Sequence, residues 1–275
     1  MSHPDAQRAK PYPPAKLTKK RAVNFIKRIS RYARRASLLP DYGFLGADVH
    51  AHLLPGIDDG AQSAADGVAL VRELVALGFT HFHATPHVMA ERFPNTPNSI
   101  AGAREELRRA LRAAGVRVPL EAAAEYLMDD EFRPRISTGE MLPLPGNRVL
   151  VEMPFVAPAP GMEDSIFQLQ VAGYVPVMAH PERYSYWESN PEEWKRVRKL
   201  GCELQVNLLS LYGFYGAGPR RRAFELIERG WVTFLGTDVH NLQQVRALRD
   251  GLQDRTVADL FHRFEFKNKS LVYHD

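Results

Sequence analysis

The residues most able to do chemistry are histidines and carboxylates recurring at the ends of apolar runs. The densest stretch is Asp48-Val49-His50-Ala51-His52-Leu53-Leu54-Pro55-Gly56-Ile57-Asp58-Asp59-Gly60. His50 and His52, spaced by two, point the same way on a strand, with Ala47, Val49 and Ala51 filling the other face. Pro55-Gly56 ends that strand, and Asp58 and Asp59 return carboxylates over its end. Two imidazoles and a carboxylate converging on one point are the makings of a transition-metal site.

The same pattern repeats down the chain. Thr85-Pro86-His87, Ala124-Glu125-Tyr126, Val151-Glu152-Met153, Ala179-His180-Pro181 and Thr237-Asp238-Val239-His240 each place a ligand-type side chain where a strand should stop. A single histidine after a strand is usually a hydrogen-bonded core residue. Six strand mouths carrying ionisable groups are different, because burying them without a cation is costly. His81 and His83 lie deeper on their strand and read as structural. The donors are nitrogen and oxygen without thiolate, which favours Mn, Fe or Zn and argues against Mg or Ca. Five histidines and up to four carboxylates exceed one ion's needs, so two or three ions are expected. Glu152, central in strand order, is the natural bridge. Asp59 or His240 could protonate a leaving group.

The elements that must position these groups alternate. Strands are expected over 47–54, 80–87, 118–126, 147–154, 174–180, 202–208 and 231–239. Helical patterns cover 65–77, 100–114, 164–171, 191–200, 221–229 and 241–253, and 128–144 is a loop or a short helix. Gly78, Gly115, Gly173, Gly201 and Gly230 follow five of the helices, as C-terminal glycines should. Seven βα units predict a parallel sheet closed into a barrel with chemistry at the carboxyl ends of its strands.

Composition narrows the class. The 275 residues, 45% hydrophobic and 25% charged, suit a soluble globular chain. Cys202 is the only cysteine, which excludes a disulfide or thiolate framework. With no apolar run long enough to span a bilayer and no signal peptide, a cytoplasmic location is expected. The net charge of +4 is unevenly spread. Residues 1–40 hold eleven Lys/Arg against Asp5, or +10, so 41–275 carry −6. No nucleic-acid partner is expected of an acidic body. Residues 1–17 read as disordered and 18–37 as a short basic amphipathic helix. That helix would pack on the body, lie on an anionic membrane surface or bind a partner. Leu39-Pro40-Asp41-Tyr42-Gly43 reads as a linker. The expected domains are thus a basic extension, 1–46, and a body, 47–275, that carries all the ligand-type residues at strand ends.

The motifs at 48–61, 84–87, 151–154, 179–184, 205–207 and 237–241 resemble those of PHP (polymerase and histidinol phosphatase) proteins. Within these they are most similar to the manganese-dependent tyrosine-protein phosphatases of bacterial capsule and exopolysaccharide clusters. The resemblance implies a distorted (β/α)7 barrel and a trinuclear site with Mn²⁺, Fe or Zn being alternatives. It implies His50, His52, Asp59, His87, Glu125, Glu152, His180, Asp238 and His240 as ligands. Arg183, three residues after His180, is then placed for a bidentate contact with phosphate, an ion pair with Glu182 or a nearby helix being the alternative, and Arg246 lies nearest to where the family places a phosphate-contacting arginine. The implied activity is hydrolysis of phosphotyrosine by hydroxide generated at the metals. The implied partner is a phosphotyrosine protein, a membrane-bound bacterial tyrosine kinase. A small-molecule phosphatase of the histidinol-phosphate type is the alternative.

Overall fold

The seven expected strands are present, two of them broken in half. The computed structural model describes residues 37–187, 190 and 192–272, so the expected basic segment falls almost wholly outside the described residues. The strands are β1 (Ala47–Ala51), β2 (His81–Ala84), β3 (His87–Val88), β4 (Leu120–Ala122), β5 (Glu125–Leu127), β6 (Arg148–Glu152), β7 (Val175–Ala179), β8 (Glu203–Asn207) and β9 (Phe234–Gly236). The breaks between β2 and β3 and between β4 and β5 have a shared cause. Pro86 has no N–H to give the ladder, and the Ala124 N–H turns away to the Leu142 carbonyl.

All pairings within the two sheets are parallel, in the orders β1-β2-β4 and β3-β5-β6-β7-β8-β9. Bonds from Ala123 N to Ala84 O (2.9 Å) and from Glu125 N to Pro86 O (3.0 Å) carry the pairing across the breaks. The outer strands β1 and β9 also meet. Asp238 N donates to His50 O (2.7 Å), and His52 N donates to Val239 O (3.0 Å). Buried Asn268 stitches the same two strands lower down, donating to Ala47 O (3.0 Å) and Leu235 O (2.6 Å).

Helices supply the crossovers: α1 (Ala64–Ala76), α2 (Pro97–Ala113), α3 (Phe132–Thr138), α4 (Met162–Val171), α5 (Glu192–Lys199), α6 (Leu208–Leu211), α7 (Ala217–Glu228), α8 (Leu242–Gly251) and α9 (Arg255–Arg263). Their starts follow local chemistry. Ser63 caps α1, Thr96 and Ser99 form a capping box on α2 with Pro97 in its first turn, and Asn241 and Gln244 form another on α8. The glycines expected to end helices, Gly78, Gly115, Gly173, Gly201 and Gly230, all have positive φ.

Two expectations need correction. The supposed linker is packed: Tyr42 is fully buried and donates to Leu248 O on α8 at 2.7 Å. Regular alternation along β1 also fails. Asp48 pairs with Phe82 but Ala51 with Ala84, so β1 carries one extra residue between them. Such a bulge re-aims side chains. Ala47 and Val49 therefore pack with Leu150, Val177, Ala179 and Phe234, on the same interior that His50 enters one residue later. That interior has an apolar floor and, above it at the strand ends, the polar residues of the site.

Candidate metal centre

Each expected ligand is delivered by a strand end or the turn after it. Register aligns His87 with Glu125 and Glu125 with Leu150, two residues before Glu152, so β3, β5 and β6 aim three ligands into one interior. His180 and Asp238, just past β7 and β9, adopt left-handed backbones with φ of 35° and 52°. Such conformations cost on the order of 1–3 kcal/mol and collect at functional sites. The Asp48 carboxylate accepts from Thr237 N (3.1 Å) and Thr237 Oγ1 (2.6 Å) and pins the turn that presents Asp238. His240 is held where α8 begins, its N–H donating to Gln244 Oε1 at 2.5 Å.

All nine candidate ligands come together. They form four overlapping groups able to hold a cation: His52, Asp59, His87 and His240; His50, Glu125 and His180; His50, His52 and Asp238; His87, Glu125 and Glu152. Seven are buried, while Asp59 is exposed and His240 intermediate.

Outer partners fix the rings. The His50 Nδ1–H is set against Gln205 Oε1 (2.7 Å), that of His52 against Asp58 Oδ2 (2.7 Å) and that of His240 against the Asp238 carbonyl (3.0 Å). These acceptors assign the Nδ1–H tautomer and leave each Nε2 lone pair facing inward. Gln205 in turn donates to Asn207 Oδ1 (2.9 Å), and Asn207 Nδ2 donates to Asp238 Oδ2 (2.6 Å).

The inner atoms are crowded, and His180 Nε2 lies 2.8 Å from Glu125 Oε1. His50 Nε2 and His52 Nε2 lie 3.3 Å apart, and Asp238 Oδ1 is 3.4 Å from the first and 3.3 Å from the second. His87 Nδ1 lies 3.0 Å from both Glu125 Oε2 and Glu152 Oε1, yet these three atoms and His180 Nδ1 are buried without hydrogen-bond partners. Buried polar atoms are rarely left so. Lone pairs converging at such distances fit cations lodged between them.

The electrostatics agree. Burial alone would lower His50 and His87. The Glu125 carboxylate, then Asp238 for His50 and Glu152 for His87, overcomes it and pushes them up to about 10 and about 12. Burial would raise Glu125, but His50 and His87 hold it far below the usual range. Asp59 is held low chiefly by the neighbouring His240, against burial. The centre therefore attracts positive charge strongly, and cations would answer that demand in place of protons.

A cavity of about 460 Å³ opens above these groups, lined by Asp59, His87, Met89, Arg92, Phe155, His180, Arg183, Tyr215, Asp238, His240 and others. Arg183 donates to Asp238 Oδ2 (3.1 Å), with its guanidinium 4.6 Å from the Phe155 ring and 4.4 Å from the Tyr215 ring. It does not pair with Glu182, whose carboxylate turns inward to accept from Ser210 Oγ (2.6 Å) and Asn207 N (3.0 Å). Arg246 is exposed on α8 and is absent from the cavity wall.

Of the aromatic residues near strand ends, Phe155 and Tyr215 reach the cavity, whereas Tyr126 and Tyr184 are core residues. His83 is also structural, its Nε2 lying 2.8 Å from Leu271 O. Cys202 is buried, and burial pushes its thiol up to about 12, far from thiolate. Sequence reasoning missed Arg92 and the roles of Asp58, Gln205, Asn207 and Asp48. Only Asp58, beside Asp59, and the Gln-Val-Asn motif gave any signal.

Comparison with known proteins is consistent with this site. The family model described as "Capsular polysaccharide synthesis, CpsB/CapC" matches residues 46–253. Tyrosine-protein phosphatase YwqE of Bacillus subtilis (strain 168) is 29% identical over 197 residues, 71% of this chain and 78% of that protein. Putative tyrosine-protein phosphatase CapC of Staphylococcus aureus is 25% identical over 229 residues, 82% of this chain and 90% of that protein. Among solved structures, one from a study of YwqE from Bacillus subtilis and CpsB from Streptococcus pneumoniae, described as unique metal-dependent tyrosine phosphatases, superposes with a TM-score of 0.68 at 26% identity. It covers 79% of this chain and 94% of that one.

Proposed function

The chain belongs to the CpsB/CapC family of capsular polysaccharide synthesis, and on that premise we propose that it is a metal-dependent protein-tyrosine phosphatase. The observation that carries this reading is the set of nine nitrogen and oxygen donors in four overlapping groups beneath one cavity. We take all nine as ligands of two or three ions. Donor type admits Mn, Fe or Zn, and the resemblance to manganese-dependent phosphatases makes Mn²⁺ the ion we propose. Bound ions would lower the pKa of water from 15.7 to about 7 and neutralise phosphoryl oxygens.

The chain's own side chains do the rest. Arg183, held flat between Phe155 and Tyr215, presents a planar fork to a phosphate oxygen pair. The parts of these two rings that line the cavity are left to border the phenyl group of the substrate. Asp59 and His240, 3.5 Å apart at the wall, are the outermost of the nine, and whichever of them is released from an ion is positioned to pass a proton to the leaving phenolate. Cys202 takes no part. A phosphotyrosine reaches the cavity floor without unfolding its protein, whereas phosphoserine is shorter by a ring.

The proposed target is a membrane-bound tyrosine kinase acting in capsule or exopolysaccharide synthesis, met at the cytoplasmic face. Residues 1–46 form the proposed basic extension that holds the enzyme near an anionic membrane, and 47–275 the phosphatase body. Bonding between β1 and β9 supports reading the two sheets as one distorted (β/α)7 barrel. The helices among the described residues include none long and apolar enough to cross a membrane.

Turnover of a phosphotyrosine peptide, a phosphoserine peptide and histidinol phosphate, each with Mn²⁺ and after chelation, tests the reading. The phosphotyrosine peptide should be fastest, and chelation should abolish its turnover. Faster hydrolysis of histidinol phosphate would make the enzyme a small-molecule phosphatase instead.

A further inference from the structure

Arg183 is one cation at the cavity, and a phosphate monoester dianion has oxygens for more. Arg246, the second arginine expected at the phosphate, is absent from the cavity wall. Arg92 is on it. Taking the phosphatase reading as given, we propose that Arg92 is the second cation of the phosphate clamp and acts together with Arg183.

The geometry has three parts. First, the two guanidinia are anchored on carboxylates that bracket His240. Arg183 donates to Asp238 Oδ2 at 3.1 Å and Arg92 to Asp59 Oδ2 at 3.5 Å, while His240 lies 3.8 Å from Asp238 Oδ1 and 3.5 Å from Asp59 Oδ1. Asp59 belongs to one candidate cation group and Asp238 to another. A phosphate held over the two groups would thus have one arginine at each flank.

Second, the segment carrying Arg92 is braced. Met89 and Phe93 pair across a tight antiparallel turn, Met89 N donating to Phe93 O (2.9 Å) and Phe93 N to Met89 O (3.1 Å). Ala90 N donates to Asp129 Oδ2 (2.8 Å), and Asn95 Nδ2 donates to His87 O (2.9 Å). The Arg92 guanidinium lies 4.9 Å over the Phe93 ring, which stacks on the candidate ligand His87 at 5.7 Å and 9°.

Third, the present partner of Arg92 is easily exchanged. Its side chain is 68% exposed, and Asp59 is 40% exposed. An ion pair that long and that wet contributes little. A dianionic phosphate offers a stronger, bidentate acceptor, and Asp59 is released from Arg92 whenever it turns to a cation.

The test uses the full-length, Mn²⁺-loaded protein, equilibrium binding of inorganic phosphate, metal analysis, and kinetics on a phosphotyrosine peptide. Arg92→Ala should weaken phosphate binding about tenfold or more, the worth of a charge-assisted hydrogen bond, and raise KM in parallel, with metal content unchanged. Arg92→Lys, which keeps charge without the fork, should recover part of the loss. Unchanged phosphate affinity in Arg92→Ala would overturn the proposal. So would phosphate affinity and metal content falling together, because Arg92 would then act only by holding Asp59. If phosphate binding weakens as expected but the wild type turns over no phosphotyrosine peptide, the clamp stands and the choice of substrate fails.

Discussion

At the scale of single residues, the chemistry depends on which atom of each side chain is free. His50 Nδ1 is committed to Gln205 and His52 Nδ1 to Asp58, so both rings turn Nε2 toward the centre. The double variant His50→Ala/His52→Ala should lower bound metal, read by elemental analysis; full stoichiometry in it would remove these residues from the ligand set. Gln205→Leu keeps the ligands but frees the His50 ring, and loss of such an outer partner typically costs 10–100-fold in metal affinity or activity. Competition with a metal indicator would measure it. Arg183→Lys should recover little of the activity lost in Arg183→Ala, since lysine cannot lie flat between Phe155 and Tyr215. Equal kcat/KM for the lysine variant and wild type would show that charge alone is enough.

At the scale of elements, strand contacts set the site's geometry. A Cβ added at Gly236 on β9 would meet the His50 Cβ and Gln205 Nε2 at 2.7 Å. Gly236→Ala should therefore push β1 and β8 apart at the ligand level and lower metal content together with activity. Metal binding at wild-type strength would refute that packing. His83, beneath the site, links β2 to the C-terminal turn through Leu271 O. Burial holds its pKa below the ordinary value, against the pull of that bond. The unfolded chain then binds a proton below about pH 6.5 that the fold resists, so His83 lowers stability as pH falls through that value. His83→Gln should lose less melting temperature than wild type between pH 7.5 and 5.5. An identical loss in both would assign the acid sensitivity elsewhere.

At the scale of the molecule, the basic extension and the acidic body invite separation. Because Tyr42 and Leu45 are fully packed into the body, the cut belongs before Ser37 and not at the edge of the 47–275 unit. Removing 1–36 takes away all eleven Lys/Arg of the segment and should abolish sedimentation with anionic liposomes, where each basic residue is worth about 1 kcal/mol. Turnover of a small phosphate ester should stay within about twofold. Equal liposome binding by both chains would end the membrane role, and collapsed turnover would show that the extension serves the chemistry.

The sequence by itself determined the order of the strands and of six helices, though not α6 or α9, and it put ligand-type residues at the strand mouths, the family resemblance selecting nine of them. Both are local: apolar periodicity marks a strand, and a proline, glycine or polar residue marks its mouth, whatever the rest of the chain does. Four things only the tertiary structure decided. The extra residue in β1 is visible only in its register with β2, because a bulge is a property of a strand pair. Tyr42 looked like linker because its partners, Tyr212 just past α6 and Leu248 on α8, lie 170 and 206 residues away. Arg92 and Arg246 are both solvent-facing arginines in sequence, and only the folding of the 89–93 turn over His87 brings one of them to the cavity wall. The tautomers of His50 and His52 are set by Gln205, 155 residues distant, and by Asp58, six residues on. A residue's type and neighbours fix what it can do, but which of its atoms remains free depends on contacts made across the fold.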